Sequence, residues 1–386
     1  MSFSFSFSGE DIDDQDGCES TTTDIAAKLE NTNIDSSQTS ISPKRHTLTE
    51  LLESLPDQIS YNWHDVPASQ IQPGDGGTQA AGHGARIPRR ALFDIRQQLM
   101  FESDPTAHDR KGDQITAESL LEGLQTGDLS TGVYEGGFKT WECAVDLAGY
   151  VSCTFGDVGI VGDVHRHIIE LGAGSAIPSL ALLQKALRYR QSRCDDRCQW
   201  SKVRFTLCDY NEDVLRLCTA VNVFLTTVLS SEGETEQGTL AEEEDLEIKP
   251  DLVRKTLQTL VDANIQVDFI SGGWGDGFTN LLHSNHTNGE LHTTTNHTLL
   301  LASETIYSPA SLDIFSQMVL ELLTPHDDGD SQRIRALIAA KKVYFGVGGG
   351  VAEFEDTIRS HNGRLETVLD VKGAGVGRVI LEVFTS

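Results

Sequence analysis

In this chain of 386 residues, the stretch Glu170-Leu171-Gly172-Ala173-Gly174-Ser175 places an acid and two alternating glycines directly after an apolar run. Glycines so spaced let the backbone approach a ligand at the start of a helix, although a tight strand-to-helix turn uses glycine for steric reasons alone. A dinucleotide fingerprint requires a third glycine at position 177, which is Ile177, so a nicotinamide cofactor is disfavoured. The Glu170 carboxylate repels a pyrophosphate and suits the cationic, amine-bearing tail of S-adenosylmethionine. Asp209 ends the next apolar run. There a carboxylate can accept from both hydroxyls of a ribose, or cap the helix that starts near Glu212.

Two further stretches carry usable groups. In "SETIY", Glu304 and Tyr307 form an acid-x-x-aromatic pair; the alternative is a strand-end acid before a turn at Pro309. In "SGGWGD", Trp274 can stack on adenine, line an acceptor pocket, or be an ordinary buried tryptophan. The segment "EGGFKTWECAVDL" leads through two glycines into Trp141, Ala144, Val145, Ala148 and Val151, whose i, i+3, i+4, i+7 spacing predicts a helix with one buried face. Taken alone, this is a core helix with a glycine hinge. The run "FGVGGG" lacks the Lys and Ser/Thr of a phosphate-binding loop and reads as a flexible turn, near the acceptor.

The elements that must position these groups alternate. Strands are predicted at "HIIEL", "VRFTLCDYN", "VDFISGGWGD", "HTLLLASETIYSP" and "KVYFGVG", with a terminal pair at "LETVLDV" and "GRVILEVF". Helices fall between them: one accepts Pro178 in its first turn, one covers "EDVLRLCTAVNVFL", one "SLDIFSQMVLELL", and one, "VAEFEDTIRSHNG", closes at Gly363. Strands alternating with helices predict an α/β, Rossmann-like, mostly parallel sheet covered on both faces, with ligands beyond the carboxyl ends of its strands.

Charge and composition divide the chain. The net charge is -28, with twelve acidic and three basic residues in 1–60 and nine acidic and one basic in 231–251. An acidic chain lacks the basic face that nucleic acid requires. Residues 1–60 read as a disordered acidic Ser/Thr-rich tail, 61–127 as an irregular lead-in, 128–386 as the domain of alternating strands and helices, and about 229–250 as a solvated acidic insert. The seven cysteines form no CxxC pair, so neither a disulfide framework nor a metal site is indicated. The start has no signal-peptide pattern, and no stretch reads as a membrane span, which leads us to expect a soluble protein of a reducing compartment.

In order along the chain, "GVYEGGFKTWECAVDL", "ELGAGS", "LCDYN", "SGGWGD" and "ASETIYSP" resemble the eukaryotic, fungal-type protein-histidine methyltransferases of the seven-stranded S-adenosylmethionine-dependent class, which modify a large-subunit ribosomal protein. The resemblance covers about Asp128 to Ser386 and extends to "MSFSFSFS" and "IPRR". It implies cofactor contacts at Lys139, Thr140, Trp141, Glu142, Cys143, Glu170, Gly172, Gly174, Asp209, Tyr210, Asn211, Gly272, Gly273, Trp274 and Ser303, with Glu304 and Tyr307 at the acceptor. It further implies a monomer with a cytoplasmic and nuclear location that acts on a protein and does not grip nucleic acid or membrane. A histidine acceptor with a pKa of about 6.5 already offers a ring lone pair near neutrality, and a carboxylate such as Glu304 would steady the imidazolium that forms. The competing expectations are lysine methylation by the same fold and a non-catalytic cofactor-binding protein.

Overall fold

The computed structural model describes residues 41–68, 84–102, 136–155, 164–192, 200–231, 243–283, 296–324, 333–345, 348–372 and 375–385. The phenylalanines at 3, 5 and 7, the Cys194–Cys198 spacing, Glu135 and Gly346 lie outside them. Five strands are parallel: β4 (His165–Leu171), β5 (Val203–Asp209), β7 (Ile265–Ser271), β8 (Asn296–Ser303) and β9 (Arg333–Lys341). β10 (Gly363–Val371) and β11 (Arg378–Thr385) add an antiparallel pair at one side, and β1 (Lys44–Thr47) adds an antiparallel edge strand at the other. The order is β1-β7-β5-β4-β8-β9-β11-β10. Six of these strands fall where the sequence predicts them, β9 lies ahead of the run expected for it, and β1 makes eight.

Both faces of this sheet are apolar, as parallel strands between helices require. Alternate residues serve opposite cores. Ile168, Phe205, Leu207, Phe269 and Leu301 face α3 (Glu142–Thr154), α4 (Ile177–Ser192), α5 and α6 (Pro250–Asp262). Ile169, Leu171, Ile270, Leu300 and Ile338 face α7 (Asp276–His283), α8 (Pro309–Leu323) and α9 (Val351–Ser360). α5 runs continuously from Glu212–Val214 through a π-turn, Leu215–Thr219, into Ala220–Ser231. By length and composition α5 could cross a membrane, contrary to the sequence reading, but 89% of its apolar window is buried inside this protein.

The strand order places the topological switch between β4 and β8, whose chains continue outward to opposite sides. Register aligns the strand ends: Leu171 pairs with Cys208 and Ala302, Asp209 with Ser271, and Ser303 with Ala339. Every acid singled out in the sequence thus arrives at one edge.

The N-terminal third departs most from expectation. Residues 41–60 are ordered, not a tail: β1 pairs with β7, and α1 (Leu48–Leu52) starts at a capping box in which Thr47 accepts the Glu50 N–H. The described part of the lead-in holds regular elements, β2 (Gln58–Val66), β3 (Ala85–Arg90) and α2 (Leu92–Glu102); its residues 69–83 and 103–127 lie outside the described residues. The acidic insert is also partly built in. Its residues Glu244–Glu247 form β6, giving a second sheet, β3-β2-β6, in which Tyr61 Oη and Trp63 Nε1 both donate to the Glu244 carboxylate at 2.6 and 3.0 Å. Three acids in four residues disguise this strand; β2 satisfies two of them with the Tyr61 and Trp63 donors and with Ser60 Oγ, which donates to Asp245 at 2.6 Å.

Two smaller corrections concern boundaries. The fifth parallel strand precedes "KVYFGVG": β9 is "RIRALIAAK", whose alanines pass between helices on a doubly covered sheet. The left-handed residue after α9 is Asn362, with φ 60°, not Gly363. Gly363 is there because a Cβ would meet Leu320 Cδ2 at 2.7 Å.

Glu244→Ala leaves the Tyr61 hydroxyl and Trp63 N–H without their acceptor and should destabilise the protein by about 1–3 kcal/mol, read from urea unfolding. An unchanged midpoint would show that β6 contributes nothing to the fold.

Candidate active site

The glycine loop after β4 is held from three sides. Gly172 and Gly174 take φ of 64° and 51°, conformations open to glycine at little cost. The Asp209 carboxylate accepts the Gly174 N–H at 3.0 Å through Oδ2 and the Asn211 N–H at 3.2 Å through Oδ1, while Cys208 O accepts the Ala173 N–H at 2.7 Å. From α5, Thr219 Oγ1 in the π-turn donates to Gly174 O at 2.6 Å, and Asn222 Nδ2 donates to Ser175 O at 3.0 Å. Asp209 therefore ties two strand-end loops together and does not cap α5.

Glu170 is fully buried, and its Oε2 accepts the Ser179 N–H at 3.0 Å in the first turn of α4. Its Oε1 has no hydrogen-bond partner. Burial pushes the carboxyl up to about 7, against the lowering effect of the Ser179 hydrogen bonding. A cation placed at Oε1 would relieve that penalty.

The Gly136-Gly137 pair brings α3 onto this loop. A Cβ on Gly174 would meet Gly137 O at 2.8 Å, and one on Gly137 would meet Val214 Cγ1 at 2.8 Å. Cys143, Leu147, Ala148 and Val151 of α3 are buried, Val145 is half-buried, and Trp141 stands at the N-cap, its Nε1 donating to Gly136 O at 3.1 Å. Thr140 Oγ1 donates to Ser175 Oγ at 2.9 Å. The Lys139 ammonium lies 4.5 Å from the centroid of the Trp141 ring.

Glu304, just past β8, adopts φ 56°, a left-handed conformation that is strained for a side chain with a Cβ. Its N–H bonds Ala339 O at 3.0 Å. A lysine that the sequence reading missed stands beside it. Lys341 Nζ is 3.1 Å from Glu142 Oε2, 3.5 Å from Glu304 Oε1 and 5.1 Å from the Trp141 ring centroid. Glu304 Oε1 is buried with no hydrogen-bond partner and faces the Lys341 ammonium. Partial burial works to lower the Lys341 ammonium, but Glu304 and Glu142 outweigh it and hold it above its usual value. The Cys143 thiol and Tyr344 hydroxyl are pushed far up, first by burial and then by the Glu304 charge. Nothing in the pair Lys341-Lys342 marks the first as special; only the end of β9 does.

Tyr307 meets Tyr344 edge-on with ring centroids 6.3 Å apart. The backbone at Gly349 presses on this loop so closely that a Cβ would lie 2.3 Å from Tyr307 O, which explains one glycine of "FGVGGG". On the far side, Gly272, φ 114°, donates to Asp209 O at 3.1 Å, and Gly273 donates to Ile41 O at 2.9 Å. Trp274 is half-buried, its ring 4.8 Å from that of Phe315, a packing contact. Tyr210 and Ser303 are half-buried at the same sheet edge. Trp274 and Glu304 follow β7 and β8, which β5 and β4 separate, so they serve different ends of the site.

No family model matches the chain. Histidine protein methyltransferase 1 of Saccharomyces cerevisiae is 31% identical over 417 aligned residues, covering 100% of this chain and 99% of its own. The Schizosaccharomyces pombe protein of the same name is 30% identical, with coverage of 86% and 79%, and a Bos taurus homologue is 30% identical, with 70% and 60%. Among solved structures, magnesium protoporphyrin IX methyltransferase of Synechocystis with bound SAH gives a TM-score of 0.30 at 12% identity, covering 76% of this chain and 94% of that one. The rRNA methyltransferase aviRa of Streptomyces viridochromogenes gives 0.32 at 14%, with 68% and 94%.

The raised Glu170 carboxyl has a pH signature in the ligand-free protein. Its proton is held more tightly folded than unfolded, so this group's stabilisation is full below its ordinary value near 4.5 and is lost as pH rises toward 7. Glu170→Gln keeps an acceptor for Ser179 but cannot titrate. The stability of the variant relative to wild type should therefore increase from pH 4.5 to pH 8 in parallel urea titrations; a pH-independent difference would contradict the buried, unpaired carboxyl.

Proposed function

The chain belongs to the histidine protein methyltransferases, and from that membership we propose that it methylates a histidine ring nitrogen in a large-subunit ribosomal protein, with Glu304 beside the acceptor. It is a protein-histidine methyltransferase, S-adenosylmethionine is its cofactor, and its substrate is a protein. The ribosomal target is supported by the resemblance of "GVYEGGFKTWECAVDL", "LCDYN", "SGGWGD" and "ASETIYSP" in that order, and action as a monomer without nucleic acid by the large excess of acid.

The residues present fit the cofactor. The observation that carries this reading is the cluster of buried polar atoms without hydrogen-bond partners at the C-terminal sheet edge: Glu170 Oε1, Asn211 Nδ2, Glu304 Oε1 and Thr305 Oγ1. Such atoms are rare in a finished core and normal where a ligand completes them. Glu170 Oε1 would take the amine. Asp209, at the end of β5, would accept from the ribose hydroxyls. Lys139 to Cys143 would cover the tail, Gly172 and Gly174 let it approach, and Tyr210, Asn211, Gly272, Gly273 and Trp274 would hold the base side, with Ser303 between base and acceptor.

When bound, the cofactor supplies a sulfonium methyl for in-line displacement. The acceptor imidazole must arrive neutral, since its lone pair forms the new bond. Glu304 accepts the other ring N–H, fixing which nitrogen faces the methyl, and its charge steadies the imidazolium. Lys341 and the left-handed backbone hold Glu304 in place, and Tyr307 with Tyr344 walls the acceptor. Holding the reactants in line supplies much of the rate.

The reading is tested with methyl-labelled cofactor, purified large-subunit ribosomal proteins and mass spectrometry of the products. Label on a histidine ring is expected; label on lysine alone, or on no ribosomal protein, contradicts it. At saturating cofactor the rate should fall as pH drops through the acceptor's pKa, about 6.5 if unperturbed, and level off above it. Glu304→Gln should bind cofactor as wild type does and turn over about 10²-fold more slowly. An unimpaired glutamine variant removes Glu304 from the mechanism.

A further inference from the structure

We infer that Arg89 is the anchor for the cofactor's carboxylate, a binding role carried by the small N-terminal sheet and not by the methyltransferase sheet. The inference rests on the cofactor reading and adds a residue that reading does not use.

β3 ends in two consecutive arginines with opposite fates. Arg90 is buried and saturated: it donates to Asp94 at 2.6 Å, Gln98 Oε1 at 2.7 Å and Leu217 O at 3.1 Å. Its backbone N–H bonds Asn222 Oδ1 at 2.8 Å, and Asn222 in turn holds Ser175 O, so β3 is pinned to the glycine loop. Arg90 is a structural residue. Arg89 points to the other side of the strand and is half-buried. Its Nη1 donates to Thr140 Oγ1 at 2.9 Å, and its Nε is buried with no hydrogen-bond partner. Among the described residues no carboxylate pairs with it, although the chain as a whole is strongly acidic and Arg86, Arg90, Arg204, Arg216, Arg335 and Arg378 all have one.

A guanidinium so placed repels other cations. It and burial lower the His64 imidazole, and neighbouring Cys218 also feels it. Leaving a buried charge-bearing N–H unsatisfied is unfavourable unless an anion completes it. The position identifies the anion. Arg89, Thr140 and Ser175 form a continuous hydrogen-bonded chain from β3 through the start of α3 to the residue after Gly174. In an amino-acid tail the amine and carboxylate share one carbon, so a tail whose amine is taken by Glu170 must present its carboxylate within a few ångströms of the same loop. Arg89 supplies the planar fork that pairs with a carboxylate. Opposite charges, Glu170 and Arg89, would then grip the two ends of one zwitterion.

Binding of S-adenosylmethionine and of its decarboxylated form, which differs by the carboxylate alone, should be compared by competition calorimetry on wild type, Arg89→Met and Arg89→Lys, without any protein substrate. Wild type should prefer the intact compound at least tenfold. Arg89→Met should lose that preference by weakening the intact compound alone, with the decarboxylated form bound within about twofold of wild type, and Arg89→Lys should recover part of it. Equal weakening of both compounds would mean that Arg89 only supports the fold, and an intact preference in Arg89→Met would mean that the carboxylate is held elsewhere; either overturns the inference. Binding of neither compound to wild type would instead overturn the cofactor assignment itself.

Discussion

The Asp209 carboxylate, shared between the Gly174 and Asn211 N–H groups, is the interaction on which the site depends. Two charge-assisted bonds of this kind contribute roughly 1.5–3 kcal/mol each. They fix the spacing of the loops after β4 and β5, which the parallel register has already brought level. Gly174 then sets Gly137, whose carbonyl oxygen would stand only 2.8 Å from a Cβ on Gly174, and Gly137 sets the start of α3. From there Trp141 and Glu142 reach Lys341, and Lys341 reaches Glu304. One carboxylate on β5 thus indirectly places another on β8.

The N-terminal third completes this arrangement. β3 is clipped to the glycine loop through Asn222, α2 packs Ile95 and Leu99 against Phe138, Val214 and Leu217, and Ile41 holds the loop after β7. Without the N-terminal third the site would lack Arg89, the edge strand beside Gly272 and one wall around the pivot. Two polar devices bracket the cofactor region: a buried carboxyl raised by its surroundings and an arginine whose Nε is buried without a hydrogen-bond partner. Both are unfavourable in isolation and compatible with a bound zwitterion.

Four of the five parallel strands were legible because each is a short, doubly buried apolar run with Glu, Asp or Ser at or next to its end, and "ELGAGS" with Asp209 marked the ligand edge. The family followed from several weak motifs in order. β9 was misplaced because "RALIAA" has alanines, which carry little strand propensity, while the adjacent "VYF" carries more. β6 was invisible because its sequence, three acids in four residues, is stabilised by tyrosine and tryptophan donors far away in sequence. The capping box at Thr47 and Glu50 was readable, and the surrounding polar composition hid it. Lys341 could not have been found from sequence, since its meaning comes from two carboxylates separated from it by long stretches of chain.

The measurement closest to the central claim is amide hydrogen exchange of the ligand-free protein, wild type against Asp209→Ala, followed in the peptides that contain Gly174 and Asn211. If the carboxylate tie organises the site, protection should fall at these loops and at the start of α3, while the central strands β4, β5 and β8 keep theirs. Unchanged protection at Gly174 and Asn211 in a folded variant would contradict the account, because the loops would then hold their form without the interaction assigned to fix them.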